Sequence, residues 1–181
     1  MANLKEVRTR IASVSSTQQI TSAMKMVSAA KFRRAQNAII GMRPYAAQLN
    51  EIVADIDTGD GVRTPYHEVR PVQTVLLVVV TSNKGLCGAF NSNVLKLAQQ
   101  RIDHWRSANA AIRLVTIGKK ATEMLSRQKD LQLSAYDELL DNPAFDAIAT
   151  LADTMLDDFA EKRIDRVEVV YNQFKNSLSQ V

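Results

Sequence analysis

One cysteine, two histidines and no long apolar run exclude several kinds of protein before any pattern is read. Cys87 alone cannot form an intrachain disulfide, which points to a reducing compartment. A cysteine nucleophile needs a base beside it, yet His67 falls in a Gly/Pro-rich stretch and His104 in a helical one. Two histidines and one cysteine so widely spaced make no metal-ligand set. The longest apolar run, Val75–Val80, is far short of the roughly 20 residues that span a bilayer as a helix. No apolar signal region follows Met1. The Arg- and Ser-rich, acid-poor start imitates a mitochondrial transit peptide, but its helical pattern continues well past the length of one. Neither G-x-G-x-x-G nor G-x-x-x-x-G-K-[ST] occurs, so no dinucleotide or P-loop fingerprint is present.

Acid is scarce where base is plentiful. Residues 1–50 hold eight basic side chains (Lys5, Arg8, Arg10, Lys25, Lys31, Arg33, Arg34 and Arg43) against the single acid Glu6. The remaining residues are mildly acidic, although the chain as a whole carries +4. A basic arm on an acidic body suggests that the arm faces an acidic partner. The apolar fraction of 46% and charged fraction of 23% are those of an ordinary globular protein, of one domain or one domain with an extension.

The arm reads as one long helix over residues 1–56. Asn3 can cap it, with Glu6 returning a bond to the cap. Leu4, Val7, Ile11 and Val14 follow the spacing of a coiled-coil seam. The seam weakens through Ser15–Gln19, resumes at Ile20, Met24 and Val27, and returns at Ile39, Met42, Ala46, Leu49, Val53 and Ile56. Pro44 is expected to kink it. Unbroken, such a helix runs about 80 Å at ~1.5 Å per residue. Its middle, Ile20–Gln36, pairs soft or small residues (Met24, Met26, Ala29, Ala30) with Lys25, Lys31, Arg33 and Arg34 and no acid. Each large seam side chain is worth about 1.5–3 kcal/mol when buried. The rest of the sequence offers no helix of comparable length as a mate, so the mate is expected from another chain or from sequence beyond these residues.

Residues 57–72, with Gly59, Gly61, Pro65 and Pro71, read as a linker. Over 73–181 strands alternate with helices, which predicts a small Rossmann-like α/β domain with a mostly parallel sheet. Strands are expected at Thr74–Thr81, Ala111–Ile117, Leu131–Ala135 and Arg166–Asn172. One helix is capped by Asn91 or Ser92 and buries Val94, Leu95, Ala98, Ile102 and Trp105. A short one covers Lys119–Arg127. Another opens at Asn142-Pro143, with Phe145, Ile148, Ala149, Ala152, Met155, Leu156 and Phe159 in its stripe.

The loop Ser82–Asn93 (SNKGLCGAFNSN) lies where α/β domains place their sites, and Gly85 and Gly88 could turn N–H groups to a phosphate. The plainer expectation is a tight turn with Cys87 packed inside it. Asp137, Glu138, Asp141, Asp157, Asp158 and Glu161 read as solvated acids, with no catalytic pair among them. Two functions compete on these grounds: a nucleotide-binding α/β enzyme and a basic-arm nucleic-acid binder. The second is weakened by an arm with only Phe32 and Tyr45 for stacking.

Three segments together resemble the γ subunit of the F-type ATP synthase: Ile11–Tyr45, Val79–Asn93 (VVTSNKGLCGAFNSN) and Val170–Gln180 (VYNQFKNSLSQ). The family continues into a long C-terminal helix that pairs antiparallel with the N-terminal one, and that helix is absent from this sequence. The resemblance implies a non-catalytic rotor, with no cofactor, metal or nucleotide site of its own and no nucleic-acid partner. Its helical shaft would turn inside a ring of α and β subunits, with the α/β domain against ε and the c-ring. Rotation driven by proton flow would then change the β sites. The chain would meet the membrane only through this complex, on the cytoplasmic face of a bacterial membrane. Carried over by match, Met24, Lys25, Met26 and Val27 would touch the β subunits, and Lys31, Arg33 and Arg34 would face acidic stator loops. Ile11, Val14, Ile20, Ala30, Ile39, Met42, Leu49 and Val53 would pack on the mate helix, which small Ser28, Ala29 and Ala30 let come close.

Overall fold

The computed structural model describes residues 3–58, 64–141, 143–176 and 179–180, and the chain divides into two compact units, Met1–Val62 and Arg63–Val181. The first unit is one helix, α1, over Leu4–Thr58. Asn3 Oδ1 accepts the Lys5 N–H at 3.2 Å, satisfying one donor that no helical carbonyl can reach. Glu6 lies in the first turn, 3.9 Å from Arg10, an exposed pair worth about 0.3–0.5 kcal/mol. The helix carries through Pro44. With no N–H on Pro44, the carbonyl of Ile40 lacks its i+4 donor, a local loss that the continuing turns on either side tolerate.

In the second unit β1 (Thr74–Val80), β2 (Ala111–Ile117), β3 (Gln132–Ala135) and β4 (Arg166–Val170) form a parallel sheet in the order β3-β2-β1-β4. The crossovers carry α2 (Phe90–Ser107), α3 (Lys119–Leu125) and α4 (Phe145–Ala160). This is the α/β architecture that the sequence pattern predicts. Central β1 is apolar on both faces because both are covered. Val75, Leu77 and Val79 meet Val94, Ala98, Ile102 and Trp105 of α2 and Ala121 and Leu125 of α3. Leu76 and Val78 meet Leu151 of α4 and Ile164, with Met155 and Phe159 partly buried against them.

Several local expectations are corrected. Neither Asn91 nor Ser92 caps α2; its N-cap is Ala89, and Asn91 instead turns back to hold the preceding loop. The fourth helix begins at Phe145 after Ala144, with Pro143 still outside it, while Asn142 lies outside the described residues. Its inward face is Leu151, Met155 and Phe159, whereas Phe145, Ile148 and Leu156 are exposed. Asp158 is no solvated acid: it is buried, accepting from Arg113 at 2.8 Å and from Arg163 at 2.6 Å. Cys87 is exposed rather than packed in its turn.

Candidate functional site

The continuity of α1 sets which of its side chains share a face over a few turns. Successive residues turn by about 100°, so positions three and four apart stack. Counting by threes and fours from Leu4, Val7, Ile11 and Val14 reaches Gln18, Thr21, Lys25 and Ser28. The same count then arrives at Phe32, Ala35, Ile39 and Met42, and ends on Ala46, Leu49, Val53 and Ile56. The count can thus be carried through the gap seen in the sequence, where its positions are polar; on a straight helix it drifts by ~20° per heptad, so its distant members share a face only where the helix supercoils around a mate. On this count Ile20 and Ala30 leave the seam, while the other expected packing residues, Ile11, Val14, Ile39, Met42, Leu49 and Val53, remain on it.

The expected contact residues divide in the same way. Met26, Val27, Arg33 and Arg34 lie on the side opposite the seam, Met24 and Lys31 flank it, and Lys25 lies within it. All seven are exposed. At the polar insert the helix surface carries an open groove of about 470 Å³, lined by Ser13, Val14, Thr17, Gln18, Thr21, Ser22 and Lys25. Within it the Thr17 and Thr21 hydroxyls donate to the carbonyls of Ser13 and Thr17 at 2.9 and 2.8 Å. Such back-bonding satisfies the hydroxyls and tends to bend a helix.

The loop after β1 is held from within. Asn91 Oδ1 accepts the Ser82 N–H at 3.0 Å, and its amide donates to the Lys84 carbonyl at 3.2 Å and to the Ser82 hydroxyl at 2.9 Å. Leu86 and Gly88 sit at φ of 60° and 59°. The donors at the start of α3 are occupied too: Lys119 N–H by Asn83 Oδ1 at 3.0 Å and Ala121 N–H by Thr81 Oγ1 at 2.8 Å. A phosphate at the start of α3 would have to displace protein acceptors; at the start of α2, the helix that follows the Gly85–Gly88 loop, the Phe90 N–H is held by the Cys87 carbonyl at 3.3 Å. Among the described residues no group of His, Cys, Asp and Glu could hold a metal ion. Asn91→Ala is expected to lower stability by about 1–3 kcal/mol through its unpaired partners, and to speed protease cleavage within 82–88. Urea titration and limited proteolysis measure both.

A family model described as ATP synthase matches residues 3–181. The "ATP synthase gamma chain" of Flavobacterium johnsoniae is 47% identical over 183 residues, covering 100% of this chain. The chain belongs to the ATP synthase gamma family. The gamma chain of Flavobacterium psychrophilum is 48% identical over 186 residues, and that of Bacteroides fragilis 44% over 178. This chain spans 63% of the length of the Flavobacterium gamma chains. Two cryo-EM structures of the Euglena gracilis mitochondrial ATP synthase share the fold. One, of the OSCP/F1/c-ring assembly, has TM-score 0.55 at 19% identity, covering 96% of this chain and 53% of that one. The other, of the rotor, has TM-score 0.53 at 20% identity, covering 96% and 58%. Within the gamma family the heptad frame and the Asn91 clamp are the features that sequence reasoning passed over. Counting threes and fours through polar positions would have found the first.

Proposed function

We propose that this chain serves as the central-stalk rotor subunit of a proton-translocating F-type ATP synthase. It couples ion-driven rotation of the c-ring to conformational change at the β catalytic sites and performs no catalysis itself. The observation that carries this reading is the unbroken α1 with its three-four count of seam residues, from which Met26, Val27, Arg33 and Arg34 are turned away. A helix with a seam on one side and, over Ile20–Gln36, a basic face without acids on the other suits a shaft that pairs inwardly and slides outwardly. Met24 and Lys31 at the flanks and the outward four are the proposed contacts with the α and β ring. Exposed ion pairs are worth only about 0–1 kcal/mol, so they can be broken and remade at each step. The family's C-terminal helix is the proposed mate of the seam. In this reading ε and the c-ring meet the α/β unit, and the chain is held at the cytoplasmic face of a bacterial membrane through the complex. The boundaries proposed for its parts are a shaft over 1–56, a linker over 57–72 and the α/β domain over 73–181.

A nucleotide-binding enzyme fits less well, since the sequence carries neither nucleotide fingerprint and the loop after β1 is folded onto the Asn91 side chain. The test is assembly. This chain, joined to the C-terminal segment of the Flavobacterium johnsoniae gamma chain, should co-purify with α and β subunits as a MgATP-hydrolysing complex. If α and β form their ring and exclude the chimera, the rotor reading is wrong.

A further inference from the structure

The polar insert in the seam of α1 has a role of its own. A straight α-helix drifts by ~20° per heptad against a strict seven-residue repeat, so a frame held from Leu4 to Ile56 calls for one long partner helix wound around it. Inside that pairing Gln18, Thr21, Lys25 and Ser28 are core positions. Lys25 is the only charged residue in the whole frame.

Resting on the coiled-coil reading above, we propose that these four residues form a polar register lock. Gln18 and Ser28 hydrogen-bond across the seam, the Thr21 hydroxyl, whose proton goes to the Thr17 carbonyl, can only accept there, and Lys25 pairs with a carboxylate of the mate helix instead of the stator. An ammonium enclosed between helices demands an opposite charge, and a lysine at a core position restricts the pair to registers that supply one. A second copy of this helix does not. In parallel it sets Lys25 against Lys25. In antiparallel full overlap it sets Lys25 near Ala35, while Glu6, Glu51, Asp55 and Asp57, the acids of α1, lie outside the seam count. The mate is therefore a different helix bearing an acid opposite Lys25. The Flavobacterium gamma chains, of which this chain covers 63%, have length enough beyond the matched part to provide one. The groove along Val14, Gln18, Thr21 and Lys25 is where it would seat.

The chimera described above, purified alone, tests this with spin labels at Ala23→Cys and at one mate-helix site, in a Cys87→Ser background. The parent should give one narrow distance. Lys25→Leu should keep or raise the melting temperature yet split the distance into two or more populations. Lys25→Glu should lower the melting temperature and shift the distance. A single unshifted distance in both variants would overturn the lock, and so would Lys25→Glu altering only ATP hydrolysis in the assembled complex. Because the distances need no α or β, failure of assembly sinks the rotor reading separately.

Discussion

Gly118→Ala should destabilise the α/β unit more than other alanine substitutions of its glycines. Gly118 joins β2 to α3 at φ of 108°, a backbone conformation that a side chain resists. A Cβ there would lie 2.2 Å from the Thr81 carbonyl oxygen and 2.9 Å from Leu140 Cδ1. The obstacle is backbone, and it cannot retreat easily. Thr81 donates its N–H to Ile117 at 2.9 Å, and its hydroxyl lies 3.3 Å from the Gly118 carbonyl and accepts from Ala121 at 2.8 Å. Moving Thr81 therefore disturbs the ends of β1 and β2 and the first turn of α3 together. Strain and clash combined amount to on the order of 4 kcal/mol, a large part of the ~5–15 kcal/mol that holds a domain folded. Gly85→Ala is the control: its nearest neighbour is Lys120 Cε at 3.9 Å, and its urea midpoint should hardly move. Equal midpoints for the two variants would remove the packing argument at Gly118.

The sheet was legible because its signal is local. The β-branched runs Thr74–Val80 and Ala111–Ile117 are strands whatever surrounds them, and the structure places β2 on the expected residues. Features that depend on a distant partner were not legible. Asp158 reads as surface on its own helix, and only Arg113 from β2 and Arg163 make it a buried ion-pair centre. Asn91 has the chemistry of a cap, but a loop amide and carbonyl nine and seven residues back compete for it and win. The stripe on α4 fails as a guide because β4 is an edge strand, leaving part of the helix's apolar surface uncovered in this unit. On α1 hydrophobicity alone passes from Val14 to Ile20, while the three-four count carried through polar positions gives Gln18 and Thr21.

Acid sensitivity of the α/β unit should centre on Asp165. Its carboxylate accepts the N–H groups of Thr74 and Gln73, each at 2.9 Å, and the Arg70 Nε–H at 2.6 Å. The other end of Arg70 donates to the carbonyls of Ile164 and Phe159 and lies 4.3 Å over the Phe159 ring. One ion pair thus ties the start of β1 to the turn between α4 and β4. Both side chains are about a tenth exposed, at 11% and 10%. Asp165→Asn keeps the shape but leaves Arg70 only its longer pair with the exposed Glu68 at 3.3 Å, an expected loss of about 1–3 kcal/mol in urea. The Thr74 N–H first, then Gln73 and Arg70, hold the Asp165 carboxyl below the ordinary carboxylate range. The Arg101 guanidinium does the same for Glu168, at 2.6 and 2.8 Å. A carboxyl depressed in the folded state contributes stability that is complete above its unfolded pKa and disappears as pH falls through the folded one. The parent unit should therefore weaken steadily from roughly pH 5 downwards. The Asp165→Asn variant, weaker at neutral pH, should show a shallower slope over that window because one of the titrating groups is gone. Parallel slopes would mean that Asp165 is not among the groups whose protonation drives acid unfolding.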